Sequence, residues 1–236
     1  MFKNIKIFAD GANKTKILEM SKDPQISGFT TNPTLLYKEG ITNFKNFAKD
    51  IIPELKEKPI SFEVFSDDFD EMVKQAIEIS LWGKNVYVKI PITNTKGEST
   101  YDVIEKLSLL DIKLNITAIT TIEQVKKILP ALNKDTESYI SIFAGRIADT
   151  GVNPIPTMKK ALNLIKNTDI KLIWASSREI YNIIQADEIG CHIITATNDI
   201  LKKLPLLGKD LTEYSLETVQ MFVNNSKNYN IWEKLQ

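Results

Sequence analysis

The feature that most constrains the fold of this chain is a regular alternation of short apolar runs with longer amphipathic ones along its 236 residues. Buried parallel strands appear in sequence as near-continuous apolar runs, whereas amphipathic helices repeat apolar residues every three to four positions. Eight strand–helix units in series predict a parallel sheet that closes into a (β/α)8 TIM barrel. The eight runs typical of strands are Ile5–Ala9, Ile26–Thr30, Ile60–Val64, Val86–Ile90, Lys113–Ile116, Tyr139–Ile142, Lys171–Trp174 and Cys191–Ile194.

Helical patterns lie between these runs. The clearest is Phe69–Leu81, which follows the acidic pair Asp67-Asp68, a favourable charge for a helix amino terminus. An additional helix, Asp210–Lys227, has no further strand to cover. Its apolar stripe packs either on a neighbouring subunit or against the bottom of its own barrel. The remaining predicted helices are Asn43–Leu55, Thr121–Leu129, Pro156–Ile165, Arg178–Ala186 and Thr197–Lys203.

The amino-acid composition limits the kinds of partner and site that this protein is expected to have. No linker-like or low-complexity segment divides the chain, so residues 1–236 are predicted to form a single domain. Basic and acidic residues balance at 30 each, which argues against a nucleic-acid partner and against a polybasic membrane patch. One cysteine and one histidine exclude an internal disulfide and argue against a metal site. With no secretory signal and no run of about 18 apolar residues, we expect a cytoplasmic protein that binds a small molecule.

One strand carries a lysine where an apolar residue is expected. Lys89 lies within Asn85–Thr93, near the predicted carboxyl end of the fourth strand, which Pro91 closes. Burial disfavours an ammonium group and so favours the neutral, nucleophilic amine. The alternative is a lysine whose stem packs on the sheet while its head reaches solvent.

Polar residues follow the other strands as well, at the barrel end where catalytic residues of such folds lie. An amine nucleophile, acids and hydroxyls for proton transfer, and two arginines for a phosphate suit Schiff-base chemistry on a phosphorylated sugar. Each has a structural alternative: Asp10 as a cap, Thr30–Thr34 as a turn, Glu63 as a strand-edge acid, and the arginines as surface charges. The strand-end residues are Asp10, Thr30, Asn32, Glu63, Asn115, Thr117, Ser141, Phe143, Arg146, Ser176 and Arg178.

The order of these motifs resembles the transaldolases and the small fructose-6-phosphate aldolases over nearly the full length. Val-Lys-Ile-Pro alone is a weak signal, but its combination with Thr-Thr-Asn-Pro upstream and Ala-Ser-Ser-Arg downstream is specific. The motifs that carry the resemblance are Asp10, Thr30–Thr34, Val88–Pro91, Asn115–Thr117, Ser141–Arg146 and Ala175–Arg178.

The resemblance implies a role for each residue, with no cofactor and no metal. Lys89 forms the Schiff base with a ketose, and Asp10 moves the proton at the bond that is cleaved. Glu63 and Thr117 hold a water for proton transfer. Hydroxyl groups of the three-carbon unit contact Thr30, Asn32 and Ser141, and Asn115 and Phe143 also belong to the substrate site. The phosphate clamp is Arg146, Ser176 and Arg178.

Some positions depart from the family pattern, and the reaction is left with alternatives. Ser177 stands where a phenylalanine is usual, and the length resembles the short branch, whose members form higher homo-oligomers, often decamers. Glu63 with Phe143 resembles the transaldolase branch, whereas the aldolase branch tends to carry glutamine and tyrosine. The alternatives are an aldolase that releases free dihydroxyacetone, an isomerase that uses Glu63 as its base, and a sugar-phosphate-binding barrel without turnover.

Overall fold

The computed structural model describes Phe2 and residues 4–227. The chain forms two compact units, residues 1–201 and 202–236. Each is described separately below, and the single domain over residues 1–236 stays a prediction.

The first unit is a closed barrel of eight parallel strands in sequential order, which confirms the (β/α)8 prediction. The barrel closes where the first strand pairs with the eighth, from Lys6↔Ile193 to Asp10↔Thr197. Pro91 is the last residue of β4, as predicted, because a strand end needs no backbone donor there. The strands are β1 (Lys6–Asp10), β2 (Ile26–Thr30), β3 (Ile60–Glu63), β4 (Val86–Pro91), β5 (Leu114–Ile119), β6 (Tyr139–Ile142), β7 (Lys171–Trp174) and β8 (Ile193–Thr197).

Helices alternate with the strands along the chain. All the predicted helices are present, and further helices that the sequence did not predict lie at Lys14–Ser21, Pro33–Lys38, Tyr101–Ser108 and Ala144–Asp149. Two short 3-10 helices occupy Leu129–Ala131 and Leu204–Leu206. The helices are α1 (Lys14–Ser21), α2 (Pro33–Lys38), α3 (Phe44–Leu55), α4 (Phe69–Ser80), α5 (Tyr101–Ser108), α6 (Ile122–Ile128), α7 (Ala144–Asp149), α8 (Ile155–Ile165), α9 (Tyr181–Glu188), α10 (Asn198–Leu201) and α11 (Leu211–Ser226).

The helix starts have identifiable caps. Asp68 caps α4 by accepting a hydrogen bond from the backbone of Glu71. Its neighbour Asp67 instead accepts two hydrogen bonds from Thr95, one from the backbone and one from the hydroxyl. Thr121 and Gln124 form a capping box at α6. These hydrogen bonds hold the loops that precede α4 and α6.

Aromatic rings fill part of the barrel interior. The rings of Tyr87 and Tyr139 stack with centroids 3.9 Å apart, and Phe8 meets Tyr139 edge-on at 6.0 Å. Gly28 on β2 makes room for Phe8, since a β-carbon at this glycine would lie 2.6 Å from the ring. Phe143 packs against this cluster. Large side chains therefore fill this part of the interior, and the space that Phe8 occupies requires glycine at position 28.

In the second unit, α11 confirms the predicted additional helix. Asp210 caps it by accepting from the backbone of Glu213. Apolar side chains along it, among them Leu216, Val219 and Phe222, are exposed. Among the described residues, no helix has the length and apolar character to cross a membrane.

Candidate active site

A cavity of about 330 Å³ lies at the carboxyl ends of the strands. Ten of the twelve residues predicted from the sequence line it, and the other two, Asn115 and Arg178, do not. Parallel strands deliver their last residues to one end of a barrel, which brings together side chains distant in sequence. The ten are Asp10, Thr30, Asn32, Glu63, Lys89, Thr117, Ser141, Phe143, Arg146 and Ser176.

Lys89 lies inside this cavity and does not extend to solvent. It is 6% exposed, and its Nζ donates to the backbone oxygen of Thr31 at 2.9 Å. Glu63, its register partner on β3, places Oε2 3.1 Å from the same Nζ. The amine is thus held by a carboxylate rather than isolated among apolar side chains. Glu63 is close enough to accept its proton.

Asp10 ends a short chain of hydroxyl groups. Thr30 Oγ1 donates to Asp10 Oδ1 at 2.7 Å, and Thr30 Oγ1 lies 2.6 Å from Thr195 Oγ1. Because Thr30 has one hydroxyl proton and gives it to Asp10, Thr195 must donate to Thr30. These hydrogen bonds orient the carboxylate of Asp10 at the carboxyl end of β1.

The pKa of Asp10 lies above its ordinary value of 3.8 because the carboxyl group is buried. The charge of Lys89 and the hydrogen bond from Thr30 pull the pKa down, and the charge of Glu63 pushes it up, but burial dominates. A buried acid with a raised pKa can both accept and return a proton during turnover.

Thr117 faces the cavity with an unused hydroxyl. Within the described part of the chain, its Oγ1 is buried and has no hydrogen-bond partner. Buried polar atoms are nearly always paired, so this one marks a place for a water or substrate oxygen. The next residue, Ala118, also lines the cavity and has a left-handed φ of 61°. Such strained backbone is found preferentially at functional sites.

Asn115 lies in a buried layer rather than at the cavity surface. Its amide nitrogen donates to Ser61 Oγ at 2.9 Å, and its oxygen accepts from Ser141 Oγ at 2.7 Å. The three residues connect β3, β5 and β6. This placement makes Asn115 a support for Ser141, while its predicted contact with the substrate stays a prediction.

Asn32 has a structural role at the start of a helix and also a place in the cavity wall. It begins α2 with extended backbone, as expected before Pro33. Its Oδ1 accepts from the backbone of Leu35. The residue therefore caps a helix and also lines the cavity.

Arg146 and Ser176 are brought together by a close backbone contact. A β-carbon at Gly145 would lie 1.7 Å from the backbone oxygen of Ser176, so this position requires glycine. Ser176 itself has a left-handed φ of 62°. The guanidinium of Arg146 lies 5.7 Å from the centroid of the Phe143 ring, in cation–π geometry. The tight approach of α7 to the end of β7 positions both candidate phosphate ligands.

Arg178 is engaged elsewhere. Its Nε donates to Asp149 Oδ1 at 2.9 Å and its Nη2 to Oδ2 at 2.5 Å. This ion pair joins α7 to the segment after β7 and holds the pKa of the Asp149 carboxyl below its usual range. Arg178 does not line the cavity, so its predicted contact with a substrate phosphate stays a prediction.

Sequence reasoning missed two hydroxyl residues, Thr195 in the cavity wall and Ser61 in the buried layer with Asn115. Thr195 lies two residues after Ile193, which faces the barrel interior, so the strand period of two places it inward as well. Ser61 lies two residues before Glu63 and shares its face. Ser177, noted as unusual, donates its hydroxyl to the backbone oxygen of Thr195 at 2.8 Å. It ties the end of β7 to β8.

Comparison with known proteins gives consistent matches. Residues 7–234 match the family model described as Transaldolase/Fructose-6-phosphate aldolase. A probable transaldolase from Thermoanaerobacter sp. (strain X514) is 34% identical over 215 residues, which cover 90% of this chain and 94% of that protein. One from Clostridium kluyveri is 35% identical with the same coverage. Probable transaldolase 2 of Listeria monocytogenes is 34% identical over 88% of this chain and 93% of its own.

Proposed function

Because this chain belongs to the transaldolase/fructose-6-phosphate aldolase family, we propose that it is a Schiff-base transaldolase. It transfers a three-carbon dihydroxyacetone unit from a ketose phosphate to an aldose phosphate. The observation that carries the proposal is the buried Lys89 amine, 3.1 Å from Glu63 and at the wall of the cavity.

In the first step Lys89 attacks the ketose carbonyl. Glu63 accepts the proton of the ammonium group, and the free amine adds to the carbonyl carbon. The carbonyl oxygen then leaves as water, and an iminium forms. The unpaired hydroxyl of Thr117 and the carboxylate of Glu63 hold this water, and the same water hydrolyses the iminium in reverse.

In the second step Asp10 accepts a proton from the hydroxyl next to the bond that breaks. The electrons of the carbon–carbon bond pass into the iminium, which becomes an enamine, and the aldose phosphate leaves as an aldehyde. Attack of the enamine on an acceptor aldehyde reverses these events, and Asp10 returns its proton. The raised pKa of Asp10 supports the first half of this role, because a carboxylate whose pKa is raised is a stronger proton acceptor.

Arg146 and Ser176 bind the phosphate in this proposal, with Arg178 as a second guanidinium. A guanidinium pairs with a phosphate through charge-assisted hydrogen bonds. The cavity of about 330 Å³ has room for a molecule the size of a sugar phosphate.

The pair Glu63 and Phe143 favours transfer over release. A phenol at position 143 would offer a hydrogen bond to the water that hydrolyses the iminium, whereas the phenyl ring offers none. The three-carbon unit therefore stays on Lys89 until an acceptor arrives. The second candidate function, an aldolase that releases dihydroxyacetone, belongs to the same family and uses the same lysine.

Borohydride trapping tests the proposal. Incubation with fructose 6-phosphate and borohydride should add a three-carbon unit to the peptide that contains Lys89, and Lys89→Arg should prevent both labelling and turnover. Lys58→Arg is the matched control, because the Lys58 amine, like that of Lys89, donates to backbone carbonyl oxygen, but it lies outside the cavity. A label on another peptide, or turnover without any label, would exclude Schiff-base chemistry at Lys89 and favour the isomerase or binding alternatives.

A further inference from the structure

A second and larger cavity opens at the amino-terminal mouth of the barrel, at the opposite strand ends from Lys89. Its volume is about 810 Å³. Lys6 and Lys171 are the first residues of β1 and β7, and Lys113 and His192 immediately precede β5 and β8. Barrel interiors are usually filled by layers of side chains. An opening of this size at this end has room for a small-molecule ligand.

Positive charge is concentrated at this mouth. Five lysines and two glutamates line the cavity, although the whole chain carries no net charge. Lys6, Lys56, Lys84 and Lys171 form no ion pair with any other described residue. Positively charged side chains around a concave surface raise the local concentration of anions.

His192 lies beside these lysines in the wall of the cavity. Burial lowers its pKa, and the charges of Lys171 and Lys6 lower it further. Its Nδ1 accepts a hydrogen bond from the backbone of Leu172 at 3.1 Å. In the neutral imidazole the proton is therefore on Nε2, which is a donor.

One carboxylate, that of Glu137, already lies in the wall of the cavity. The hydroxyls of the stacked Tyr87 and Tyr139 donate to the same oxygen of Glu137, at 2.6 and 3.3 Å. Lys113 Nζ lies 5.5 Å from the centroid of the Tyr87 ring. Two hydroxyl donors thus converge on one carboxylate oxygen in the cavity wall, and the unpaired lysines line the same cavity.

We propose that the amino-terminal mouth binds a small, multiply charged phosphorylated metabolite. This site is separate from the sugar-phosphate cavity and goes beyond the proposed transferase activity. Five lysines against two glutamates leave a formal excess of three positive charges, which suits a polyphosphate better than a single phosphate. The stacked tyrosines and Glu137 provide contacts for the apolar and hydroxyl groups of such a ligand.

Inorganic tripolyphosphate is a suitable probe, and the single histidine of the chain is its reporter. Imidazole NMR titration of the untagged full-length protein should show a saturable rise in the pKa of His192 when tripolyphosphate is added at constant ionic strength. The bound anion offsets the charges of Lys6 and Lys171, which explains the direction. A shift no larger than sodium chloride produces at the same ionic strength would overturn the proposal.

Calorimetric titration of variants locates the site. Lys6→Gln with Lys171→Gln should weaken tripolyphosphate binding about tenfold, since two of the five positive charges around the cavity are removed. Lys126→Gln with Lys127→Gln on α6 is the matched control, with the same charge change away from the cavity, and should bind normally. Arg146→Gln, at the opposite end of the barrel, should leave the rise in the pKa of His192 unchanged. If Arg146→Gln loses binding and the Lys6 and Lys171 variant keeps it, the anion binds at the catalytic end and the proposal is wrong.

Discussion

The residues that line the candidate active-site cavity differ in whether hydrogen bonds or ion pairs offset the energetic cost of burying their polar groups. Lys89 has Glu63 and a carbonyl oxygen, whereas the hydroxyl of Thr117 has no partner among the described residues. Asp10 lies between these cases, because its hydrogen bond from Thr30 does not offset burial. Uncompensated groups cost stability and are retained where chemistry requires them.

Asp10→Asn should therefore stabilise the fold while it removes activity. The folded protein binds the Asp10 proton more tightly than the unfolded chain does, so stability falls as pH rises from 3.8 through the raised pKa. Asparagine does not titrate. The variant should show a higher free energy of unfolding than the parent at neutral pH, with turnover reduced about a hundredfold or more. Urea unfolding at several pH values measures this difference, which should vanish below pH 3.8; a difference independent of pH would contradict the assignment.

Phe143→Tyr should increase the release of free dihydroxyacetone relative to transfer. The added phenol can hydrogen-bond to the water that hydrolyses the iminium. The measurement compares dihydroxyacetone production with transfer to erythrose 4-phosphate, and the parent should show slow turnover of the ketose alone. Phe65→Tyr, at an exposed phenylalanine outside the cavity, should leave the ratio unchanged. If the parent already releases dihydroxyacetone as fast as it transfers it, the aldolase alternative replaces the transaldolase proposal.

Lys89 and Asp10 could be found from sequence because a charge at a strand end is conspicuous against an apolar run. Thr195 could not, because the predicted eighth strand, Cys191–Ile194, stops one residue before it, whereas β8 runs from Ile193 to Thr197. A hydroxyl in a buried strand also carries no distinctive pattern. The partners of Arg178 and Asn115 depend on side-chain packing, which periodicity does not describe.

Among the helices and strands, the close approach of α7 to the end of β7 positions the candidate phosphate ligands Arg146 and Ser176. It requires both the missing side chain of Gly145 and the left-handed backbone of Ser176. Sequence patterns predicted the strands on either side but not α7 itself. At six residues, α7 is too short for a helical period to appear, and the same holds for α2.

Gly145→Ala should separate these two elements. The added methyl group would overlap the backbone oxygen of Ser176, and relief of that overlap costs roughly 1–3 kcal/mol of stability. Affinity for the phosphorylated donor should fall with it. Gly11→Ala is the control for stability, because a β-carbon there meets nothing within 4 Å. Equal melting temperatures for the two variants would show that the segment after β7 moves freely.

The ion pair between α7 and Arg178 allows a sharper test of phosphate binding. Arg178→Ala should lower kcat/KM roughly tenfold to a hundredfold for a phosphorylated donor, with little effect on an unphosphorylated one. Asp149→Asn removes the same ion pair and keeps the guanidinium, so it should retain the preference for phosphate. If the two variants behave alike, Arg178 serves to hold α7 and does not bind the substrate.

At the scale of the whole molecule, the eightfold alternation sufficed to predict the barrel, because eight parallel strands with helical returns have few other solutions. The assembly of subunits stays a prediction. We expect a homo-oligomer, since α11 carries exposed apolar side chains. Val219→Asp with Phe222→Asp should lower the mass measured by sedimentation, whereas Thr218→Asp should not. A monomeric parent protein would contradict the expectation.

The seam between β1 and β8 has a consequence for synthesis in the cell. The hydrogen bond between Thr30 and Thr195 joins residues 165 positions apart. A ribosome that has translated β1 through β7 has already released Lys89, Glu63 and Asp10, but the nascent chain still exposes two unpaired strand edges. The hydroxyl that orients Asp10 through Thr30 arrives only with the last strand. The hydrogen-bonded chain from Thr195 through Thr30 to Asp10 is therefore complete only when the barrel closes.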